Sequence, residues 1–276
     1  MRTLLHSHIF LAACAVALTA ETTFIFKLQD LQTCYYLAFV FFATIVAYNI
    51  KGALVLLRKN NANQPDKILW VLGHPKTFLS VYFFSVIGAG VLFLLLASKI
   101  YLVLLLAAIL AVTYSIPFRW EDHDLSPRNI PFFKTILVAV VWTLVTVYIP
   151  CSMNGLAVDQ FLYWIVSEFL FLFSLSILFD IKDLRKDAAQ GVKTIPRYLG
   201  VRFTVFISLL LMLVRTLLLY SRPLELAMKT EAILSFVYLI FVVNFLSIDR
   251  EEKFYMSWVD GCMLGKFFVF ALFNLY

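Results

Sequence analysis

Three aspartates, Asp180, Asp183 and Asp187, close a run of apolar residues that begins near Phe161. Their i, i+3, i+7 spacing places them within about 60° of one another on a helix. Three carboxylates on one face repel, and a divalent cation removes that repulsion. Magnesium is commonly held by one or two carboxylates together with substrate phosphates. The pattern therefore suits a diphosphate bridged through Mg2+. The plainer alternative is a solvated helix end whose acids pair with neighbouring bases. Lys182, Arg185 and Lys186 interleave with the aspartates. By spacing they point to other sides of the helix, either toward phosphate or as the basic flank of a membrane span.

The elements that carry this cluster follow from composition. The chain has 276 residues, 62% of them hydrophobic and 14% charged, with a mean hydropathy of +0.90. A soluble domain has roughly 45–50% apolar and about 25% charged residues, so the composition excludes a soluble globule and specifies an integral membrane protein. A helix needs about 20 apolar residues to cross a bilayer. Stretches 4–26, 33–57, 77–97, 100–118, 132–150, 160–180, 201–221, 229–248 and 256–276 meet that length. Backbone polar groups cannot stay unpaired in lipid, and the alternating pattern of a barrel is absent, so these stretches are expected to be helices. The expectation is an all-α, polytopic protein with nine transmembrane helices, built as a single domain over residues 1–276.

Basic residues set the orientation. Grouping the N-terminus with alternate loops collects 17 of the 23 Lys and Arg on one side. Lys27, Lys99, Arg215, Arg222 and Lys229 go to the other, and Lys266 falls within the last span. The positive-inside rule then turns the N-terminus and the aspartate cluster toward the cytoplasm, in what we read as a bacterial inner membrane. The net charge of +6 is explained by these flanks and calls for no nucleic acid. Cys14, Cys34, Cys151 and Cys262 have no metal-ligand spacing, although Cys34 and Cys151 could share a membrane face and pair. His6 and His8 are two isolated metal-ligand candidates. The first apolar run is read as a retained span, with a cleaved signal as the alternative.

The segment DIKDLRKDAAQGVKTIPRYLG, 180–200, resembles the second aspartate-rich motif of the UbiA family of intramembrane prenyltransferases. Gly191, Thr194, Pro196, Leu199 and Gly200 match the loop that follows it, and YSIPFR at 114–119 is similar to the family's loop after the fourth span. The resemblance implies a ring of nine helices around a lipid-open central cavity. It implies transfer of an isoprenyl group from an isoprenyl diphosphate to a lipophilic acceptor, assisted by Mg2+ on Asp180, Asp183 and Asp187. The family's first motif departs here. Asn49 stands at its asparagine, but its aspartate positions are Ile50, Ala53 and Leu57. The resemblance places Asn49, Tyr114 and Lys193 near substrate. Lys51, Arg58, Arg119 and Lys134 could supply positive charge where the first cluster is missing. Lys134 stands out because it opens an apolar helix, where ionisable residues are often functional; its alternative is to snorkel to the interface. Glu21, Glu168, Asn244, Asp260 and Lys266 are further polar residues within spans, and the i, i+6 spacing of Asp260 and Lys266 is poor for a pair. No catalytic side chain is singled out. Alternatives to an enzyme are a non-catalytic isoprenoid- or lipid-binding protein and, third, a small transporter.

Overall fold

Apolar runs bounded by charged or turn residues fold into helices throughout the computed structural model. It describes residues 2–58, 66–115, 119–120, 123–124, 132–189, 194–248 and 250–274; the side chains of Arg58, Tyr114, Arg119 and Asp187 lie outside that description, as does all of Lys193. The helices are α1 (Arg2–His6), α2 (Ile9–Ile25), α3 (Leu31–Arg58), α4 (Asp66–Gly73), α5 (Pro75–Leu95) and α6 (Tyr101–Ser115). They continue with α7 (Phe133–Thr143), α8 (Ile149–Met153), α9 (Val158–Ala189), α10 (Ile195–Tyr220), α11 (Leu226–Val243), α12 (Glu252–Phe254) and α13 (Gly261–Asn274). Single π turns at Leu144–Tyr148 and Tyr255–Val259 join α7 to α8 and α12 to α13. Between α6 and α7, two-residue strands pair antiparallel, Arg119 opposite Asp124 and Trp120 opposite His123.

Among the described residues, seven helical segments are long and apolar enough to cross a membrane: Leu31–Leu56, Pro75–Leu95, Phe133–Met153, Val158–Arg185, Ile195–Tyr220, Leu226–Val243 and Glu252–Asn274. One expected span is shorter. Over 4–26 the helix breaks at His8, whose φ is +58°, and α2 keeps 17 residues, a rise of about 26 Å against a core of about 30 Å. Of the expected span 100–118, the described part of α6 runs over Tyr101–Ser115. Large apolar side chains such as Phe83, Phe84, Leu94, Leu102, Phe203 and Phe206 are exposed on the outer surface. That is the surface expected of a polytopic helical protein whose outer face meets lipid.

Helix contacts close a ring. α2 packs on α3, α3 on α6, α6 on α7, α7 on α9, α9 on α10, α10 on α11, α11 on α13, and α13 again on α2. α5 lies against α3, where Gly52 and Gly88 let it approach; a Cβ on either would come within 2.9 Å of Phe78 or Phe42. The buried core joins residues of α2, α3, α7, α9, α10, α11 and α13, among them Leu18, Tyr36, Trp142, Phe171, Met212, Leu239 and Met263. Gly200 bends α10 after its first turn, with φ +77° and ψ 164°. That conformation is open essentially only to glycine.

Candidate ligand site at the aspartate cluster

α9 carries Asp180 and Asp183 to its polar end, and α7 brings Lys134 and Thr135 from its first turn to meet them. Lys134 Nζ lies 3.1 Å from Asp180 Oδ1 and 3.7 Å from Asp183 Oδ2. Thr135 Oγ1 donates to the other Asp180 oxygen, Oδ2, at 2.5 Å. Lys182 Nζ lies 4.0 Å from Asp183 Oδ1 and donates to Glu252 Oε1 at 3.0 Å. The cluster is thus interlaced with lysines rather than presented as a bare carboxylate face. Asp180 is almost fully buried, with 4% of its side chain exposed, and Lys134 shows 15%. Burying the two together avoids the several kcal/mol that either charge would cost alone.

These residues line a cavity of about 290 Å3. Its wall includes three lysines, Lys51, Lys134 and Lys182, and four acids, Asp180, Asp183, Glu252 and Asp260. The π turn at Tyr255–Val259, closed by the Asp260 N–H donating to the Tyr255 carbonyl at 3.2 Å, precedes Asp260 on this wall. A second cavity of about 200 Å3 adjoins the first, with Ala47, Tyr48, Val138 and Trp142 in both walls. It is lined by α3, α6 and α7 and is almost wholly apolar, with Ala43, Ala107, Ala108 and Ala111 leaving the space open. At the boundary, Trp142 Nε1 donates to the Tyr48 hydroxyl at 2.8 Å. A charged mouth and an apolar slot therefore share a Tyr–Trp pair in their walls.

The sequence expectations meet this geometry unevenly. Lys51, Lys134, Asp180 and Asp183 line the mouth. Lys182, expected to point elsewhere on its helix, lines it too, because the cavity wraps around the end of α9. Asn49 stands apart from them. It lies outside both cavity walls, is 1% exposed, and donates from Nδ2 to the carbonyls of Ser7 (2.8 Å) and Ile45 (2.9 Å). The break at His8 leaves the Ser7 carbonyl outside helical pairing, and the Asn49 amide satisfies it. The side chains of Arg58, Tyr114, Arg119 and Asp187, and Lys193 as a whole, fall outside the described residues. Cys34 is exposed and Cys151 buried, and both are free thiols. Sequence reasoning missed Tyr48, Thr135, Trp142 and Glu252. Only the alanine spacing on α3 and α6, small residues within apolar helices, hinted at the slot.

A second charged group lies deep among the helices. Lys266 contacts Glu21 and lies 2.9 Å from Glu168 Oε1, while Arg215 Nη2 reaches Glu168 at 3.4 Å and Glu231 at 2.9 and 3.1 Å. All five side chains are 0–1% exposed. The charge count groups Arg215 with the loops on the side away from the cluster; in the structure it is fully buried. Lys266 is not paired with Asp260 but joins α2 and α9. Aromatic faces of Trp164 and Phe171 lie 4.8 and 5.3 Å from its ammonium. The chain of alternating charges ties α2, α9, α10, α11 and α13 together and touches neither cavity wall.

Magnesium is coordinated by oxygens at about 2.0–2.1 Å in a near-octahedral shell. Both Asp180 oxygens are already bonded, one to Lys134 and one to Thr135, and both Asp183 oxygens face a lysine. Among the described residues, no three His, Cys, Asp or Glu side chains come together as a ligand set. As arranged, the Asp180–Asp183 pair does not fit Mg2+.

No family model matches the chain, and no curated protein matches it either. Among solved structures it is similar to the apo structure of a UbiA homolog from Aeropyrum pernix K1. The TM-score is 0.62 and the identity 15%, over 100% of this chain and 98% of that one. The chain has the fold of that UbiA homolog.

Proposed function

We propose that the protein binds an isoprenyl diphosphate, with the diphosphate in the charged mouth and the hydrocarbon chain in the apolar slot, and transfers the isoprenyl group to a lipophilic acceptor. The observation that carries this reading is the adjoining of a lysine-bearing cavity to an alanine-lined one across the Tyr48–Trp142 pair. That combination suits an amphipathic ligand with an anionic head. The UbiA-like fold and the resemblance of residues 180–200 support the same ligand class, and the coverage of both chains supports one functional unit. The loop charges support a mouth facing the cytoplasm, with the acceptor arriving from the bilayer.

In the transfer, the C1–O bond to the diphosphate breaks and the allylic carbon bonds to a nucleophilic atom of the acceptor. The acceptor's proton passes to water, and inorganic diphosphate leaves. Lys51, Lys134 and Lys182 lie where negative charge builds on the leaving group, which is where fixed cations accelerate such a step. The apolar slot would shield the developing carbocation from water. A second reading, binding without chemistry, is favoured by Ile50, Ala53 and Leu57 at the first motif, which leave one acid cluster instead of two.

The test is equilibrium binding of an isoprenyl diphosphate to protein in lipid nanodiscs, followed by measurement of diphosphate release with a panel of lipophilic acceptors. Saturable binding, weakened by competing inorganic diphosphate and by Lys182→Met, is expected. Binding insensitive to both would overturn the assignment. Binding with no diphosphate released by any acceptor would move the protein to the second reading.

A further inference from the structure

The geometry points to Lys134 as a built-in cation that takes the place of a divalent metal at the Asp180–Asp183 pair. Two consecutive residues of the first turn of α7 clamp Asp180. Lys134 binds Oδ1 at 3.1 Å and Thr135 binds Oδ2 at 2.5 Å. The same ammonium reaches Asp183 Oδ2 at 3.7 Å, so one cation bridges both carboxylates on the side facing α7. The opposite oxygen of Asp183 faces Lys182, which is itself held by Glu252. A divalent ion bridging the pair must therefore displace an ammonium that is mostly buried with its partner. Displacement would part that lysine from its buried carboxylate, and breaking a buried pair by removing one partner costs several kcal/mol.

Lysine binds phosphate as a point charge with three rotatable donors. The Lys134 ammonium lies within ion-pair distance of both Asp180 and Asp183. Bridged in this way, Lys134 offsets carboxylate charge at the pair and keeps a fixed positive charge on the wall of the mouth, where an anion would meet it. The consequence is a phosphate site whose central cation is covalently part of the chain, and which works when chelators strip divalent ions. It also accords with Ile50, Ala53 and Leu57, which carry no acid for a second metal.

The metal itself tests this without any lipid ligand. Mn2+ is titrated into purified protein and the free-ion electron paramagnetic resonance signal is followed. The wild type is expected to take up no Mn2+ that Asp183→Asn abolishes. Lys134→Met, which frees the two carboxylates, is expected to gain a site at least 10-fold tighter than any in the wild type, and the added Asp183→Asn change removes it. An Asp183-dependent Mn2+ site already present in the wild type overturns the proposal. So does a folded Lys134→Met variant with no gain. If Lys134→Met does not fold, Lys134→Gln carries the same test and the wild-type titration still decides.

A second arm rests on the reading of the mouth as a diphosphate site. Isoprenyl diphosphate binding is expected to change less than 3-fold between EDTA and Mg2+ in the wild type. In Lys134→Met it is expected to weaken at least 10-fold in EDTA and recover with Mg2+. Loss of wild-type binding in EDTA contradicts the built-in cation. No binding under either condition defeats the proposed ligand and leaves the Mn2+ titration to judge Lys134.

Discussion

Replacing Arg215 by methionine should unfold this protein far more readily than its distance from either cavity suggests. The guanidinium makes two bonds to Glu231, at 2.9 and 3.1 Å, one to Glu168 at 3.4 Å, and one from Nη1 to Ser235 at 3.2 Å. It also stacks 5.3 Å from the Phe171 ring. Methionine fills much of the volume but leaves Glu231 a buried carboxylate with its bidentate partner gone. Removing one member of a buried ion pair costs about 3–5 kcal/mol. At 1.4 kcal/mol per tenfold, that lowers the folding equilibrium constant by about two to four orders of magnitude. The assay is reversible unfolding in mixed micelles with a graded denaturing detergent, read by tryptophan fluorescence. The double variant Arg215→Met, Glu231→Leu removes both charges and should recover most of the loss, since a buried pair is often no more stable than an apolar replacement. A loss below about 1 kcal/mol for Arg215→Met alone would show that the network behaves as a solvated surface pair, and would refute the buried-cluster argument.

Other outcomes follow from single positions. Gly200→Ala must adopt φ +77°, ψ 164°, a conformation costing of the order of 1–3 kcal/mol for a residue with Cβ; the midpoint of thermal unfolding should fall by an equivalent amount. Asn49→Leu leaves the Ser7 carbonyl unsatisfied and should cost about 1–3 kcal/mol of stability. Because Asn49 lies outside both cavity walls, isoprenyl diphosphate affinity measured at saturating folded fraction should stay within about threefold, a difference under 1 kcal/mol. Ala111→Phe projects a ring into the slot, and long-chain isoprenyl diphosphates should bind at least about tenfold more weakly, a change of 1.4 kcal/mol. Inorganic diphosphate should bind it as it binds the wild type.

Much of this architecture is written in hydropathy. Apolar runs longer than a bilayer core announce their helices because lipid offers the backbone no other partner. Positions where local chemistry competes were less legible. The first run breaks at His8, and the Ser7 carbonyl left there meets an amide 42 residues away, a partner that no local spacing encodes. The aspartate cluster could be read from its i, i+3, i+7 pattern, whereas its counter-ion could not, since Lys134 meets Asp180 only when α7 packs on α9. The same holds for Arg215 and Glu231, sixteen residues apart on different helices. Counting charges by loop sends an arginine within an apolar run to the nearest polar face, although a buried acid can hold it in place. Alanines at 43, 47, 107, 108 and 111 look like ordinary small residues of packed helices. Only the ring arrangement turns them into the wall of a slot.

The most direct measurement is a cross-link from the far end of the ligand. An isoprenyl diphosphate with a photoreactive diazirine at its terminal isoprene would be bound in nanodiscs, irradiated, and mapped by mass spectrometry. Labels are expected in the slot, on residues such as Leu104, Ala107, Val141 and Val145, and they should disappear with excess unlabelled ligand. Labels confined to outward, lipid-facing residues such as Phe83 and Phe84, or unchanged by competition, would contradict a chain seated between α3, α6 and α7.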